Sequence, residues 1–107
     1  MAYDKVGNVL AERGNLAEAL TSYRAGLAIA ERLAKADLSN AQWQWDVVVS
    51  HWKLADHGDE PARRWAFIVT EMHKLKGEHR LRPDWARFLP DAEAELAKFQ
   101  EAQAAPR

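Results

Sequence analysis

Apolar residues recur every three or four positions from the start of the chain. Tyr3, Val6, Gly7 and Leu10 mark one face of a first helix; Leu16, Ala19, Leu20, Tyr23, Leu27, Ala30 and Ala34 mark one face of a second. Gly14 falls where the first helix should stop, at the position that favours a left-handed backbone. Asn15 follows as an N-cap, and Glu18 three residues on completes a capping-box-like start. The pattern predicts an antiparallel hairpin over 3–35 with one apolar seam.

A third helix is predicted from about Asn40 to His57, announced by Ser39 and Gln42 as a second capping box. His57-Gly58-Asp59-Glu60-Pro61 reads as a turn. Pro61 then suits the first position of a fourth helix, which runs to about Lys76 with Trp65, Ile68, Val69, Met72 and Leu75 inward and Gly77 just past its end. Residues 77–83 are polar and basic. Trp85, Phe88, Leu89, Ala92, Leu96 and Phe99 mark a fifth helix that Pro90, lying inside it, should kink.

The string Tyr3, Val6, Gly7, Leu10, Gly14, Ala19, Tyr23, Gly26 resembles a tetratricopeptide repeat. Small residues at these places have a physical reason: Gly7 and Ala19 let two backbones approach, and Gly26 admits the next helix. The family usually breaks its second helix with Pro near the position of Glu31. No Pro stands there, so the helix should continue to about Lys35, which resembles the longer-repeat arrays of bacterial signalling and scaffold proteins. Residues 51–56 lie over residues 3–8 at an offset of 48 and continue the repeat in degenerate form. Over the fourth helix, Trp65 is set on Tyr23. The resemblance implies an all-α, antiparallel helix-pair solenoid within a single domain, 1–105. It comprises a first repeat (1–36), a degenerate second repeat (39–76) and a polar-backed capping helix (83–105).

Composition changes this picture little. The 107 residues suit one domain, and 48% apolar with 29% charged residues suits a globular one. The net charge of −1 gives no gross attraction to nucleic acid or membrane. The absence of Cys excludes disulfide and thiol chemistry. No apolar run approaches a membrane span, and the N-terminus lacks a signal-like segment, so the expected compartment is the cytoplasm.

No catalytic constellation stands out, and neither a metal nor a cofactor is expected. The His residues, His51, His57, His73 and His79, show no pair at the spacing of a helical metal site, and His51 fits a packed ring. His57 with Asp56, Asp59 and Glu60 offers a weak cation site, against the simpler reading of solvated turn residues. Residues 61–90 hold seven basic residues (Arg63, Arg64, Lys74, Lys76, Arg80, Arg82, Arg87) against three acidic ones, with Trp65 and Trp85 flanking them. That patch makes nucleic acid a weaker alternative partner, opposed by a simple solvated face.

The third helix carries two apolar stripes. Trp43, Val47, His51, Leu54 and Ala55 form one; Trp45, Val48, Val49 and Trp52 form the other. A helix apolar on all sides is either sandwiched or covered by a partner. The expected function is a non-catalytic interaction module. The resemblance places a concave groove on the first helices of each pair, with candidates Asp4, Asn8 and Glu12, then Val49, Trp52 and Asp56. Chaperone-binding members of the family clamp a C-terminal carboxylate with Lys, Asn and further basic residues. Asn8 matches the Asn, but Asp4 stands at the first Lys and would repel that ligand. Trp45 and Trp52 are candidates to anchor a homodimer through the N-terminal hairpin, since the first helix reads as shortened at its start. An alternative function is that of a terminal piece of a longer array, serving packing and homo-oligomerisation.

Overall fold

The computed structural model describes the backbone of residues 2–104 and the side chains of residues 5–102. Every regular element among them is helical: α1 (Ala2–Glu12), α2 (Leu16–Ala36), α3 (Ala41–Asp56), α4 (Pro61–Gly77), the single turn α5 (Pro83–Ala86) and α6 (Leu89–Ala104). Each long helix packs chiefly on its neighbours in sequence: α1 on α2, α2 on α3, α3 on α4, and α4 on α6. The short connections 13–15, 37–40 and 57–60 between packed helices make α1 to α4 successively antiparallel.

Three of the helices end in the same way. Asn15 N–H reaches back to Leu10 C=O (2.8 Å) and Gly14 N–H to Ala11 C=O (3.1 Å), with Gly14 at φ +80°. Asp59 and Gly58 repeat this on Leu54 (2.9 Å) and Ala55 (3.1 Å), with Gly58 at φ +83°. Arg80 and His79 repeat it again on Leu75 (2.8 Å) and Lys76 (3.1 Å). This 6→1 and 5→2 pairing satisfies the last carbonyls of each helix. In α4 the left-handed residue is His79 at φ 59°, and Gly77 is the last residue of the helix instead of the residue beyond it.

The helix starts differ from expectation in three places. Asn40, not Ser39, caps α3: its Oδ1 accepts from Trp43 N–H at 3.0 Å, while the Ser39 hydroxyl donates to Asp37. Asn15 precedes α2 without a side-chain capping bond. Pro90 does not kink a helix. The chain turns at Arg87 and Phe88, and Pro90 becomes the second residue of α6, where its missing N–H would have had no helical partner.

Helix ends offer a second alignment of the two hairpins. Setting Gly58 over Gly14 gives an offset of 44, beside the 48 read from residues 51–56. His51 then stands over Gly7 and Phe67, not Trp65, stands over Tyr23. The contacts agree with this register. Gly7 lies directly against the Tyr23 ring, and His51 lies against Phe67 with ring centroids 4.2 Å apart. The two hairpins thus share a contact with different chemistry at its centre.

Two apolar clusters hold the chain together, and α3 joins them. Val47 and Leu54 pack with Ala19, Tyr23, Leu27, Ala30 and Ala34 of α2. On its opposite side, Trp45, Val48 and Ala55 pack with Trp65, Ile68 and Met72 of α4 and with Trp85, Leu89 and Ala92 beyond. The double stripe of α3 is therefore satisfied largely within the chain, because α2 covers one side and α4 to α6 the other.

Candidate functional site

The second stripe of α3 is not fully covered. Between α3 and the start of α6 lies a cleft of about 370 Å³. Trp45, Val48, Val49 and Trp52 form the α3 wall, Phe88 stands opposite, and Lys53 and Asp91 stand at the polar edge. The aromatic contacts fix these walls. Trp45 stacks on Trp85 at 5.0 Å with planes 9° apart. Trp52 meets Trp65 edge-on at 4.8 Å and Phe88 edge-on at 6.0 Å. Offset stacks and edge-to-face pairs of this kind each add about 0.5–1.5 kcal/mol beyond area burial.

Three of the seven sequence candidates, Trp45, Val49 and Trp52, meet in this cleft. Trp45 is 8% exposed beneath Trp85, so it serves as wall and cannot reach outward as an interface anchor; Trp52 is half-buried. Asp56 lies one turn beyond Trp52. Burial first, and then the nearby Glu95 carboxylate, push the Asp56 carboxyl above its usual range, against His57, Lys53 and the Trp52 indole N–H. Asn8 joins the site from α1: Lys53 Nζ donates to its Oδ1 at 3.3 Å, and the Tyr23 hydroxyl donates to the same atom at 2.5 Å. Glu12 is exposed near the end of α1, outside the cleft lining. The Asp4 side chain lies outside the described residues. Phe88 and Asp91 were missed by sequence reading, because they face α3 only once Pro90 starts a new helix.

A buried polar cluster sits behind the site. Asp59, 8% exposed, accepts from Arg64 Nη2 (2.8 Å) and Nε (3.1 Å) at Oδ1, and from Arg24 at Oδ2. Arg64 Nη1 in turn donates to His51 Nδ1 at 3.0 Å. Burial works against the Asp59 charge, but the hydrogen bonds and charges of Arg64 and Arg24 outweigh it and hold the carboxyl low. Burial, reinforced by the Arg64 and Arg63 charges, lowers the His51 pKa to about 4. His51 is therefore a neutral, packed acceptor.

Pairings within the chain also occur at two other candidate sites. Around His57, Asp59 is bound to Arg24 and Arg64, Glu60 accepts from Arg63, and His57 Nδ1 lies 2.7 Å from Lys53 C=O. Among the described residues, no three His, Cys, Asp or Glu side chains are grouped to hold a metal ion. Five of the seven basic residues of the 61–90 stretch have partners within the chain. Arg63 pairs with Glu60, Arg64 is buried on Asp59, Arg80 binds Glu78 and Leu38 C=O, and Arg82 pairs with Asp84. Arg87 lies over the Phe88 ring.

No helix among the described residues is long and apolar enough to cross a membrane. Comparison with family models, with curated proteins and with solved structures finds no match.

Proposed function

We propose that this chain is a non-catalytic protein-interaction module of tetratricopeptide-like design, which takes a peptide or partner helix on the face shared by α1, α3 and α6. The observation that carries this reading is the apolar cleft of about 370 Å³ on α3, walled by Trp45, Val49 and Trp52. Its volume lies within the range of about 300–1,000 Å³ typical of ligand pockets. Sequential helix packing supports the helix-pair design. The test is selection of displayed peptides on the wild-type protein, followed by counter-screening on Val49→Glu. Peptides that bind the wild type and lose the variant support the reading; peptides that bind both alike contradict it.

A second reading, self-association through the N-terminal hairpin, is favoured by one observation. Val6, Val9 and Leu16 are 50%, 46% and 47% exposed, an apolar surface on α1 and the start of α2 separate from the cleft. Sedimentation of wild type beside a Val6→Glu, Val9→Glu variant tests it. Dimerisation lost in the variant supports this reading, and a wild type monomeric at high micromolar concentration ends it.

A further inference from the structure

The buried polar cluster ties three helices and a turn into one chain of bonds. Arg24 of α2 and Arg64 of α4 donate to opposite oxygens of Asp59, in the turn between α3 and α4. Arg64 Nη1 donates onward to His51 Nδ1 of α3 at 3.0 Å. A guanidinium has donors and no acceptor, so this last bond requires Nδ1 to carry no proton. Among the described residues, the charged groups that act on the ring are cations, Arg64 and Arg63 of α4. Phe67 of the same helix covers it, with ring centroids 4.2 Å apart. Asp59 and Glu60, the carboxylates of the turn, are taken by Arg64, Arg24 and Arg63. On α3 itself, His57 Nδ1 lies on Lys53 C=O.

We propose that this chain of bonds is an acid-released clamp: a proton taken up at His51 Nδ1 breaks the bond from Arg64 and frees the α1–α2 hairpin from α3, while α3 to α6 stay packed. A protonated ring turns a donor toward Arg64 Nη1 and sets a new positive charge beside two guanidiniums, at a residue only 5% exposed. Water must reach the ring before it can hold that charge, so an element around it must move away. The two apolar clusters decide which. Ala19, Ala30 and Ala34 make up much of the packing toward α2, whereas Trp45, Trp65 and Trp85 fill the packing toward α4 and beyond. Apolar stabilisation grows with the area buried, so the alanine-rich side opens more easily. Burial and the two arginine charges lower the His51 pKa to about 4, so the clamp holds at neutral pH and is released as pH falls toward that value.

The five Trp divide between the two clusters and report on each: Trp43 packs on the α2 side, and Trp45, Trp52, Trp65 and Trp85 pack on the other. Their indole N–H resonances in the ¹⁵N-labelled full chain are followed through an acid titration from neutral pH, with the His51 ring signals beside them. Trp43 and the amides of α2 are expected to lose their folded shifts as His51 titrates, and the other four indoles to keep theirs through that step. His51→Gln, neutral at every pH and still an acceptor for Arg64, should remove the step. Asp56→Asn, which removes a carboxyl of the same helix held above its usual range, should leave it. All five indoles lost in one transition would overturn the clamp. So would a His51 ring that titrates while Trp43 keeps its neutral-pH shift, a result read on the wild type and independent of whether His51→Gln folds. A step that survives in His51→Gln, or disappears in Asp56→Asn, would assign the proton elsewhere and overturn it too.

Discussion

Gly7 and Tyr23 occupy one shared space: a Cβ built on Gly7 would fall 2.5 Å from Tyr23 Cε1 and 2.7 Å from Cδ1. The ring cannot step aside, since Tyr23 is fully buried and its hydroxyl donates to Asn8. Gly7→Ala gains about 0.5–1 kcal/mol of helix propensity. Overpacking a filled site costs about 1–3 kcal/mol, and here the intruding atom meets a fixed ring. The expected outcome is a lower melting temperature for Gly7→Ala, read by circular dichroism. A rise would show that α1 does not lie so close to α2.

The buried ion cluster behind the cleft should respond unequally to its two arginines. Arg64 and Asp59 have side chains 6% and 5% exposed, whereas the Arg24 side chain is 54% exposed. Removing one partner of a buried pair costs about 3–5 kcal/mol, while exposed pairs are worth about 0–1 kcal/mol. Arg64→Ala should therefore destabilise strongly and Arg24→Ala weakly, as measured by urea denaturation. Equal effects would contradict the burial difference.

His51 makes stability depend on acid. Its pKa is about 4 in the folded chain, below the ordinary 6.5 that applies when the chain unfolds. Between those values the unfolded state binds a proton that the folded state refuses. Stability is therefore complete above pH 6.5 and declines as pH falls toward 4. Asp59, held low, adds loss only at still lower pH. Denaturation midpoints from pH 7.5 to 4 should fall, and His51→Gln, which retains an acceptor for Arg64, should flatten that slope. An unchanged slope would mean that His51 is not the group responsible.

Pro90 should be nearly replaceable. Inside a helix a proline costs about 3 kcal/mol or more, but at the first turn it removes no helical bond. Pro90→Ala should change stability by less than about 1 kcal/mol in thermal melts. A gain near 3 kcal/mol would restore a continuous, kinked helix from residue 83.

The places where sequence reading succeeded and failed have physical causes. Local rules reach local features: Gly14 and Gly58 end their helices because a left-handed residue is needed there, and the periodic stripes of α3, α4 and α2 beyond Leu16 are buried or partly buried, whereas Leu16 and Val6 of the same reading are exposed. His79 was hidden because Gly77 satisfied the same local rule two residues earlier, and Pro90 because apolar spacing ran unbroken across Arg87 and Phe88. The Asp59–Arg24 pair joins residues 35 apart, beyond any helical period. Of the cleft, the α3 stripe was legible. The cover that Trp85 lays over Trp45, and the wall that Phe88 sets opposite Trp52, depend on where α5 and α6 fold back.

Nuclear magnetic resonance shift mapping tests the central claim most directly. The ¹⁵N-labelled chain, titrated with a peptide selected on the wild-type protein, should show its largest shifts at the Trp52 indole N–H and at the amides of Val49, Lys53, Phe88 and Asp91, with Trp43 and the outer face of α2 unmoved. Shifts centred instead on Val6 and Val9, or spread along Arg63 to Lys74, would contradict the α3–α6 cleft as the binding face.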